Sequence, residues 1–587
     1  MSPNKMVNLI IDGENVSVPE GTTIMQAART LGIHIPHLCY HPDLSLMGSC
    51  RVCIVDVKEM GFYMASCSVN VWEGMEVQTN SPEIRQARRD IVELLLDNHP
   101  KDCQTCERDG NCELQNLAYS LGVRERLFEG KRKSFPIEDH GVSVVRDSNK
   151  CILCGRCYRV CAEVQGVHNL HQQGRGFTTI VTPAHAVDMD DSVCIQCGQC
   201  VNVCPVAAFL EKDETEKVFE ALADTTKHVV VQTAPSIRAA IGEGFGMAPG
   251  TPAQGKMITA LRRLGFDAIF DTDLGADLTI VEESAELLRR LEGKGPLPMF
   301  TSCSPGWISF LEKFYPALIP HASTCRSPMT MLSALGKTYY AQKMGIDPKD
   351  IFMVAAMPCT AKKYEQHRPE HRLDNGVRLT DAVITTRELI WMIKSYGIDF
   401  NHLEDGEFDL PLGISTGAGD IFGITGGVME ATLRTASEKL TGKACDNLDY
   451  LEVRGVQGAK EALVKIGDRV LSVGVANGLV NAKSLLDKVL SGEKEFHIIE
   501  IMACPGGCSG GGGQPYPPKG MKLLDPRLIE LRGKALYSID QAKKLRKSHE
   551  NPALKTIYKE FLGEINGPKA HELLHTQYHS REPRGIK

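Results

Sequence analysis

Apolar and polar positions follow two different patterns along this chain. Near the start, residues 7–11 and 14–18 alternate with a period of two, which predicts a β-hairpin, and residues 23–31 have helical spacing. A second helical stretch covers residues 83–96. From about residue 216, short apolar runs lead into helical patterns, and this order predicts an α/β domain with largely parallel strands.

Small and polar residues gather where the predicted strands of this α/β region end. The apolar runs cover residues 228–232, 268–271, 297–301, 351–356, 382–385 and 497–501, and residues 284–291 and 386–394 are predicted helices. Four runs end in Thr-Ala-Pro-Ser (233–236), Thr-Ser-Cys-Ser-Pro-Gly-Trp (301–307), Met-Pro-Cys (357–359) and Met-Ala-Cys (502–504). Because ligand sites in open α/β sheets lie beyond the carboxyl ends of strands, we expect these loops to converge on one pocket.

Composition and charge narrow the class of protein. The chain has 587 residues, enough for three or four domains, and 42% of them are apolar, which is ample for a core. Its net charge of −7 gives no sign of a surface for nucleic acid or anionic membranes. Residues 1–19 lack the pattern of a signal peptide, and no apolar run could cross a bilayer, so we expect a cytoplasmic protein.

Cysteine is the most informative residue type. The chain has 21 cysteines, and 15 of them precede residue 205. A disulfide framework is the ordinary explanation for many cysteines, but it is typical of small secreted chains. Here the cysteines form arrays with the close spacing of metal sites, so we interpret them as metal ligands.

The first two arrays each have zinc as an alternative. The first consists of Cys39, Cys50, Cys53 and Cys67, a pattern that resembles plant-type 2Fe–2S ferredoxins with a longer first gap. The second consists of His99, Cys103, Cys106 and Cys112, a set that by itself more often binds zinc. Its position between two iron–sulfur arrays favours a 4Fe–4S cluster with one imidazole ligand.

The third and fourth arrays are the most specific signal in the chain. The two runs are Cys151, Cys154, Cys157 and Cys161, and then Cys194, Cys197, Cys200 and Cys204, with Pro205 after the last. This spacing is that of bacterial two-cluster ferredoxins, in which the fourth cysteine of each run ligates the other cluster. We therefore expect Cys204 to complete the first cluster and Cys161 to complete the second. The four arrays together predict an electron-transfer wire.

Motifs in the second half carry a resemblance to a known family. Residues 500–515, EIMACPGGCSGGGGQP, and residues 357–365, MPCTAKKYE, match in full the third and second signatures of the FeFe-hydrogenases. The first signature, Thr-Ser-Cys-Cys-Pro-x-Trp, is met by residues 301–307 with Ser304 in place of the second cysteine. The chain resembles the long modular members, and most of all the catalytic subunit of cytosolic, multi-subunit NAD(P)-linked hydrogenases.

The resemblance implies an H-cluster, a 4Fe–4S cube joined through a cysteine sulfur to a two-iron site that carries CO, cyanide and a bridging dithiolate. The implied ligands of the cube are Cys359, Cys504 and Cys508, with Cys508 as the bridge. Lys362 would donate to one cyanide, while Ala234, Pro235 and Ser236 would line the other and Met357 and Met502 would form soft walls. The glycines at 510–513 are expected to let the backbone approach the bulky cluster, and a flexible linker is the alternative.

Ser304 stands where the family has the fourth ligand of the cube. We expect the Ser304 oxygen, or a water that it holds, to complete the cube while Cys303 stays free. Cys325 is a weaker candidate for this ligand. Cys325 and Cys445 otherwise match no ligand position and are predicted to be buried free thiols.

Hydrogen chemistry also needs a path for protons. Glu283, Glu286 and Arg290 fall at positions i, i+3 and i+7 of a predicted helix, and this spacing alone favours an ordinary solvated face. The resemblance implies instead a relay from Cys303, the last proton donor, through Glu283, Ser323 and Glu286 to Arg290 at the surface.

These observations predict four domains and one enzyme. The domains are a 2Fe–2S ferredoxin-like domain at 1–81, a His/Cys3 4Fe–4S domain at 82–135, a two-cluster ferredoxin domain at 136–215 and the H-cluster domain at 216–587, the first three being small α+β units. The predicted reaction is 2H⁺ + 2e⁻ ⇌ H₂, fed by one 2Fe–2S and three accessory 4Fe–4S clusters.

The expected partners follow from the same resemblance. They are H₂ and protons, flavin- and iron–sulfur-containing NAD(P)-linked subunits or ferredoxin, and maturation proteins for the two-iron site, with no nucleic acid and no membrane. The alternatives are a non-catalytic relative in hydrogen sensing or iron–sulfur assembly, a stand-alone ferredoxin-linked hydrogenase, and a pure electron-transfer subunit like that of complex I. The last would not explain the second and third signatures.

Overall fold

The computed structural model describes residues 5–58, 60–124, 128, 130–445, 447–518, 520–522 and 524–581. The outer ends of the first and last predicted domains, residues 1–4 and 582–587, therefore lie outside the described residues. The first sheet is built from β1 (Met6–Ile11), β2 (Glu14–Pro19), β3 (Ile54–Val57), β4 (Met64–Ala65) and β5 (Glu76–Gln78), in the order β2-β1-β5-β3-β4. The predicted hairpin is present, because β1 and β2 pair antiparallel.

Short helices and strands frame the remaining N-terminal arrays. They are α1 (Ile24–Thr30), α2 (Pro82–Asp97), α3 (Glu113–Ser120), β6 (Val144–Arg146), α4 (Arg156–Glu163), β7 (His171–Gln173), β8 (Ile180–Thr182), α5 (Gln199–Val203) and β9 (Phe209–Glu211). Helices α4 and α5 pack together, and each follows a glycine in the left-handed region, Gly155 and Gly198. The chain therefore enters the helix through the same kind of left-handed glycine turn in both cysteine runs.

The second half has the predicted alternation of strands and helices. Its first part contains α6 (Thr215–Ala223), β10 (His228–Thr233), α7 (Gln254–Leu264), β11 (Ala268–Asp271), α8 (Thr272–Leu291), β12 (Met299–Phe300), α9 (Pro305–Phe314), α10 (Pro328–Leu335), α11 (Ala341–Met344), β13 (Ile351–Met357), α12 (Ala361–Gln366), β14 (Ala382–Thr385) and α13 (Thr386–Ser395). Its second part contains α14 (Gly417–Asp420), α15 (Gly427–Thr441), β15 (Ala459–Ile466), β16 (Arg469–Asn477), α16 (Leu479–Ser491), β17 (Ile498–Met502), α17 (Pro526–Ala542), α18 (Pro552–Ile557) and α19 (Pro568–Leu574).

The strands of this half form two sheets. One has the order β11-β10-β13-β14 and is parallel throughout. The other has the order β12-β17-β16-β15, in which β15 alone is antiparallel to its neighbour. The parallel strands were predicted, but the division into two sheets and the β15–β16 hairpin were not. Strand β15 lies at an edge with Lys and Glu among its residues, so its apolar signal is weak.

Helix α8 lies at the centre of the catalytic half. The sequence predicted only its last two fifths, residues 284–291, whereas the helix begins at Thr272. Most of its side chains are buried on all sides, and a helix of this kind shows no polar face to mark it. Among the described residues, no helix is long and apolar enough to span a membrane.

Candidate active site

The four loops that follow predicted strands meet around one cavity. It holds about 790 Å³ of space not occupied by protein atoms and lies beyond the carboxyl ends of strands from both sheets. The sequence-predicted residues that line it are Ala234, Pro235, Cys303, Ser304, Met357, Cys359, Lys362, Met502, Cys504 and Cys508. Parallel strands in each sheet end on the same side, which is why residues more than 250 positions apart come together.

Two residues around the cavity differ from expectation. Ser236 is buried but does not line the cavity, because its hydroxyl accepts a hydrogen bond from Gln514 Nε2 at 3.2 Å. Phe422 lines the cavity and was not predicted, since it lies in a short turn with no strand before it. Thr272, Ala276, Pro328 and Met329 also line it and were not predicted, although Thr272 directly follows the predicted strand at 268–271.

In the glycine-rich loop, glycine is needed mainly because other parts of the chain lie close to its backbone. Gly511 lines the cavity, as expected. A Cβ at Gly512 would lie 2.3 Å from the carbonyl oxygen of Cys197, and one at Gly507, where φ is +82°, would lie 2.8 Å from the Thr425 nitrogen. A Cβ at Gly511 would lie 2.1 Å from the Pro358 carbonyl oxygen, so this glycine allows a close approach of backbone, and Gly512 allows contact with the fourth cysteine array. The expectation that the glycines make room for a cluster stays a prediction.

The thiols of the cavity suit a metal cluster. Burial raises the pKa of Cys359, Cys504 and Cys508 above the ordinary value for cysteine. Thiols in so dry a site ionise when a metal coordinates them. Lys362, which is almost fully buried, lies 2.6 Å from Glu365 and 3.4 Å from the carbonyl oxygen of Cys303. The donor set therefore fits an iron–sulfur group with an ammonium beside it.

Cys303 and Ser304 both line this cavity. Ser304 Oγ lies 3.3 Å from the Ala503 nitrogen, from which it accepts a hydrogen bond. Burial, followed by the charge of Glu283, raises the pKa of the Cys303 thiol well above its usual range. Cys303 is therefore a protonated thiol at the wall of the cavity.

The two cysteines without a predicted partner differ from each other. Cys325 is fully buried, as predicted, but it does not line the cavity. Its nearest charged groups are Glu282, Glu283 and Glu286, so it is a poor candidate for a ligand of the cube. Cys445 is partly exposed, and the prediction that it is buried is wrong.

The predicted relay residues lie next to one another behind Cys303. Glu283 Oε1 accepts hydrogen bonds from the Ser302 nitrogen at 3.3 Å and from Ser302 Oγ at 3.2 Å. Ser323 lies near Glu283, and its hydroxyl donates to Glu286 Oε2 at 2.9 Å. Burial raises the pKa of Glu283 to about 7, so this carboxyl group can both gain and lose a proton near neutral pH.

The ferredoxin-type arrays have the crossed arrangement that their spacing predicts. A cavity of about 370 Å³ is lined by Cys161, Cys194, Cys197 and Cys200. The pKa values of Cys151, Cys154 and Cys157 are raised first by burial and also by charged thiols nearby, Cys204 among them. Each group thus takes three cysteines from one run and one from the other.

The first array also assembles, and in the second Cys106 lies near both Cys103 and Cys112. Cys39, Cys50, Cys53 and Cys67 are buried together, and the Cys39 nitrogen donates to Cys50 Sγ at 3.5 Å. In the second array, His99 and Cys112 are buried, Cys106 is half-buried and Cys103 is exposed.

Both of these arrays adjoin the third, so the predicted wire is forked. Arg159 Nη2 lies 2.7 Å from the carbonyl oxygen of Cys39 and 3.4 Å from that of Cys154. Lys150, next to Cys151, lies 3.7 Å from Cys106 Sγ. At the other end, Cys197 of the fourth array lines the main cavity.

Comparison with known proteins decides what this assembly is. The chain matches the family described as iron only hydrogenase large subunit, C-terminal domain, over residues 227–512, and the iron hydrogenase small subunit family over 526–581. It is 49% identical over 588 residues to the NADP-reducing hydrogenase subunit HndD of Solidesulfovibrio fructosivorans, covering 98% of this chain and 99% of that protein. The chain belongs to the iron-only hydrogenase family.

Further comparisons agree with this assignment. The hydrogenase is 42% identical to iron hydrogenase 1 of Clostridium pasteurianum, over 98% of this chain and all of that protein. A solved structure of a variant of the FeFe-hydrogenase HydA1 from Chlamydomonas reinhardtii is 46% identical, with a TM-score of 0.56, and covers 62% of this chain and 98% of that chain.

The N-terminal matches are to iron–sulfur families. They are a 2Fe–2S cluster binding domain at 4–82, the iron–sulfur binding region of NADH-ubiquinone oxidoreductase G at 88–126 and a 4Fe–4S dicluster domain at 150–208. The hydrogenase therefore combines 2Fe–2S and 4Fe–4S domains with an H-cluster-bearing domain and interconverts protons, electrons and H₂.

Proposed function

We propose that Cys359, Cys504 and Cys508 hold the cube of the H-cluster, with Cys508 as the bridge to a two-iron site that carries CO, cyanide and a dithiolate. The observation that carries this proposal is the convergence of three buried thiols and Lys362 on one cavity beside Cys197. When bound, the H-cluster supplies the redox chemistry of hydrogen. An infrared spectrum of anaerobically purified protein tests this, because iron-bound CO and cyanide absorb where protein does not.

The cavity wall has a distinct role for each kind of side chain. Lys362 donates to one cyanide, and its ammonium offsets the negative charge of the cofactor in a low-dielectric site. Ala234, Pro235, Met357 and Met502 exclude water and pack against the cofactor. Ser304 oxygen, or a water on it, completes the cube, while Cys303 stays free as the last proton donor. Protons pass between Cys303 and Glu286 through Glu283 and Ser323.

The accessory clusters number four in this proposal, one 2Fe–2S and three 4Fe–4S. They deliver electrons through the fork at the third array to the fourth array, whose Cys197 borders the active cavity. The domain boundaries at residues 81, 135 and 215 and the cytoplasmic location remain predictions.

The cluster assignment sets the iron content. We expect matured, fully active protein to contain about 20 iron atoms per chain, from the stoichiometry of these clusters. Iron would be measured by metal analysis on protein of known concentration and specific activity. A plateau near half this number in fully active enzyme would contradict the proposed wire.

We further propose a partner that contains flavin and its own iron–sulfur clusters and couples this hydrogenase to NAD(P). The support is the name of the Solidesulfovibrio relative, an NADP-reducing hydrogenase subunit. The first domain exposes Phe62 and Trp72, whose exposed fractions are 59% and 39%, and such apolar side chains suit a docking surface near the first array.

Co-purification tests this partner. We expect a tagged chain to retain a flavoprotein from native extract, and Phe62→Asp to release it. Leu463→Asp is the matched control, because Leu463 is an equally apolar and 69% exposed residue on β15, far along the chain from the first domain. Recovery of this chain alone, fully active with ferredoxin, would support a stand-alone ferredoxin-linked enzyme instead.

A further inference from the structure

Arg290 lies at the outer end of the proposed proton relay, but its guanidinium group does not release a proton. Arg290 is only 6% exposed, and all five of its N–H groups have acceptors. Nε and Nη2 donate to Glu286 Oε1 at 3.1 and 2.5 Å, and Nη2 also donates to the Ala322 carbonyl at 2.8 Å. Nη1 donates to the carbonyls of Pro296 and His321 at 3.1 and 3.0 Å. Because arginine stays protonated in proteins, Arg290 clamps Glu286 and cannot carry its proton.

The second carboxylate oxygen of Glu286, Oε2, offers another route for protons. Oε2 accepts from Ser323 Oγ at 2.9 Å and from the Thr324 nitrogen at 3.1 Å, and it lies 3.4 Å from Thr324 Oγ1. The same hydroxyl lies 2.8 Å from Nδ1 of His575. Thr324 therefore stands between a relay carboxylate and an imidazole, and a hydroxyl can accept one proton while it donates another.

Both ring nitrogens of His575 have polar partners. It is buried, and its Nε2 lies 3.3 Å from Glu282 Oε2. Glu282 is fully buried and also accepts from the Tyr558 hydroxyl and, at 2.8 Å, from the Asn566 nitrogen. The ring of His571, which is exposed, lies 4.2 Å from that of His575 between centroids.

The backbone holds this arrangement in place. The Thr576 nitrogen donates to the Thr324 carbonyl at 2.8 Å, and Cys325 forms a β-bridge with His575. Arg326 Nε donates to the His575 carbonyl at 2.8 Å. The C-terminal segment is thus fastened to the strand of residues that carries Ser323 and Thr324.

We propose that protons pass between Glu286 and solvent through Thr324, His575 and His571, a branch that rests on the proposed inner relay from Cys303. In hydrogen oxidation, the Glu286 carboxyl proton moves to Thr324 Oγ1 as the hydroxyl proton of Thr324 moves to His575 Nδ1. Protonated His575 then gives its Nε2 proton to His571, whose ring lies 4.2 Å away between centroids, and His571 releases a proton to water. His575 keeps the proton on Nδ1, and the return of that proton to Nε2 resets the ring for the next transfer. One proton leaves Glu286 for each proton released, no group is oxidised, and hydrogen evolution runs the same steps in reverse.

Substitution at Thr324 in the matured, full-length enzyme tests the first step. Thr324→Val keeps the shape and the backbone bond to Glu286 but removes the hydroxyl. We expect it to lower turnover roughly tenfold to a hundredfold, less than a complete loss because water can partly replace the hydroxyl. The solvent isotope effect in D₂O should rise, and Thr324→Ser should restore both values. The infrared bands of the H-cluster report whether each variant is correctly assembled.

Chemical rescue tests the outer step with a variant at low risk of misfolding. Exposed His571→Ala should slow turnover, and added imidazole should restore it, which no structural role would explain. His579→Ala is the matched control, an exposed histidine of the same segment that lies outside the network, and it should neither slow the enzyme nor respond to imidazole.

The outcomes separate this branch from the inner relay. If Thr324→Val turns over at the wild-type rate while Glu283→Gln does not, the branch is wrong and the inner relay stands. If Glu283→Gln is fully active, the inner relay itself is wrong. A slow Thr324→Val together with a fast His571→Ala would overturn the two-histidine exit, since protons would then leave directly at Thr324.

Discussion

Replacing Cys303 by serine is expected to lower hydrogen turnover by roughly two to four orders of magnitude, the usual contribution of a positioned proton-transfer group. The thiol lines the cavity and is protonated, and a serine hydroxyl is a much weaker acid. The measurement is anaerobic hydrogen production with a chemically reduced dye as electron donor. The EPR signal of the cube and the infrared bands of CO and cyanide should remain, because Cys303 is not a ligand in our proposal.

The neighbouring residue supplies the control for this experiment. Ser304→Cys restores the usual family sequence and should retain activity with a shifted EPR signal of the cube. Both side chains line the same cavity. The two variants therefore distinguish which of these adjacent residues is a ligand of the cube and which is the proton donor. Loss of the cube in Cys303→Ser would show that Cys303 is the ligand, and its assignment as proton donor would then be untenable.

Glu283→Gln is expected to have the second-largest effect, a loss of roughly a hundredfold in turnover. Glutamine keeps an oxygen for the hydrogen bonds from Ser302 but cannot exchange a proton. Since burial raises the pKa of Glu283 to about 7, a step near that pH should vanish from the rate profile of the variant. This step would be measured from the rates of hydrogen production and hydrogen oxidation between about pH 5 and about pH 9.

The same pKa shift makes a prediction about stability. A carboxyl group whose pKa is raised from 4.5 to about 7 in the folded state stabilises the fold fully below pH 4.5. This stabilisation is lost as the pH rises through about 7, and it amounts to about 3 kcal/mol at most. Thermal unfolding of Glu283→Gln should therefore depend less on pH over this interval than that of the wild type.

Glu500→Gln is the matched control for these pH effects. Burial raises the pKa of Glu500 also to about 7, and its carboxylate accepts from the backbone nitrogens of Gly426 and Met429 rather than from a relay residue. We expect Glu500→Gln to reduce the pH dependence of thermal unfolding. The step near pH 7 in the dependence of turnover on pH should remain in this variant. A Glu283→Gln enzyme with the wild-type rate profile would contradict the relay.

The sequence carried most of the information on chemistry. Ligand chemistry depends on residue types at short spacing, so the cysteine runs alone predicted that Cys161 would join Cys194, Cys197 and Cys200, and these four residues line one cavity. The loops after predicted strands likewise pointed to a shared pocket, because parallel strands in a sheet end on one side. The resemblance to the hydrogenase signatures then supplied the identity of the cluster.

Tertiary structure decided what depends on contacts between distant segments. The fork in the wire comes from Arg159 and Lys150, which reach other arrays across the domain boundaries. The sequence around Gly512 does not reveal that the Cys197 carbonyl oxygen lies next to this glycine. Nor does the sequence around Thr324 reveal that His575 lies beside it. Sequence patterns record the local backbone and the chemistry of each side chain, whereas these placements follow from how segments far apart in the chain pack against one another.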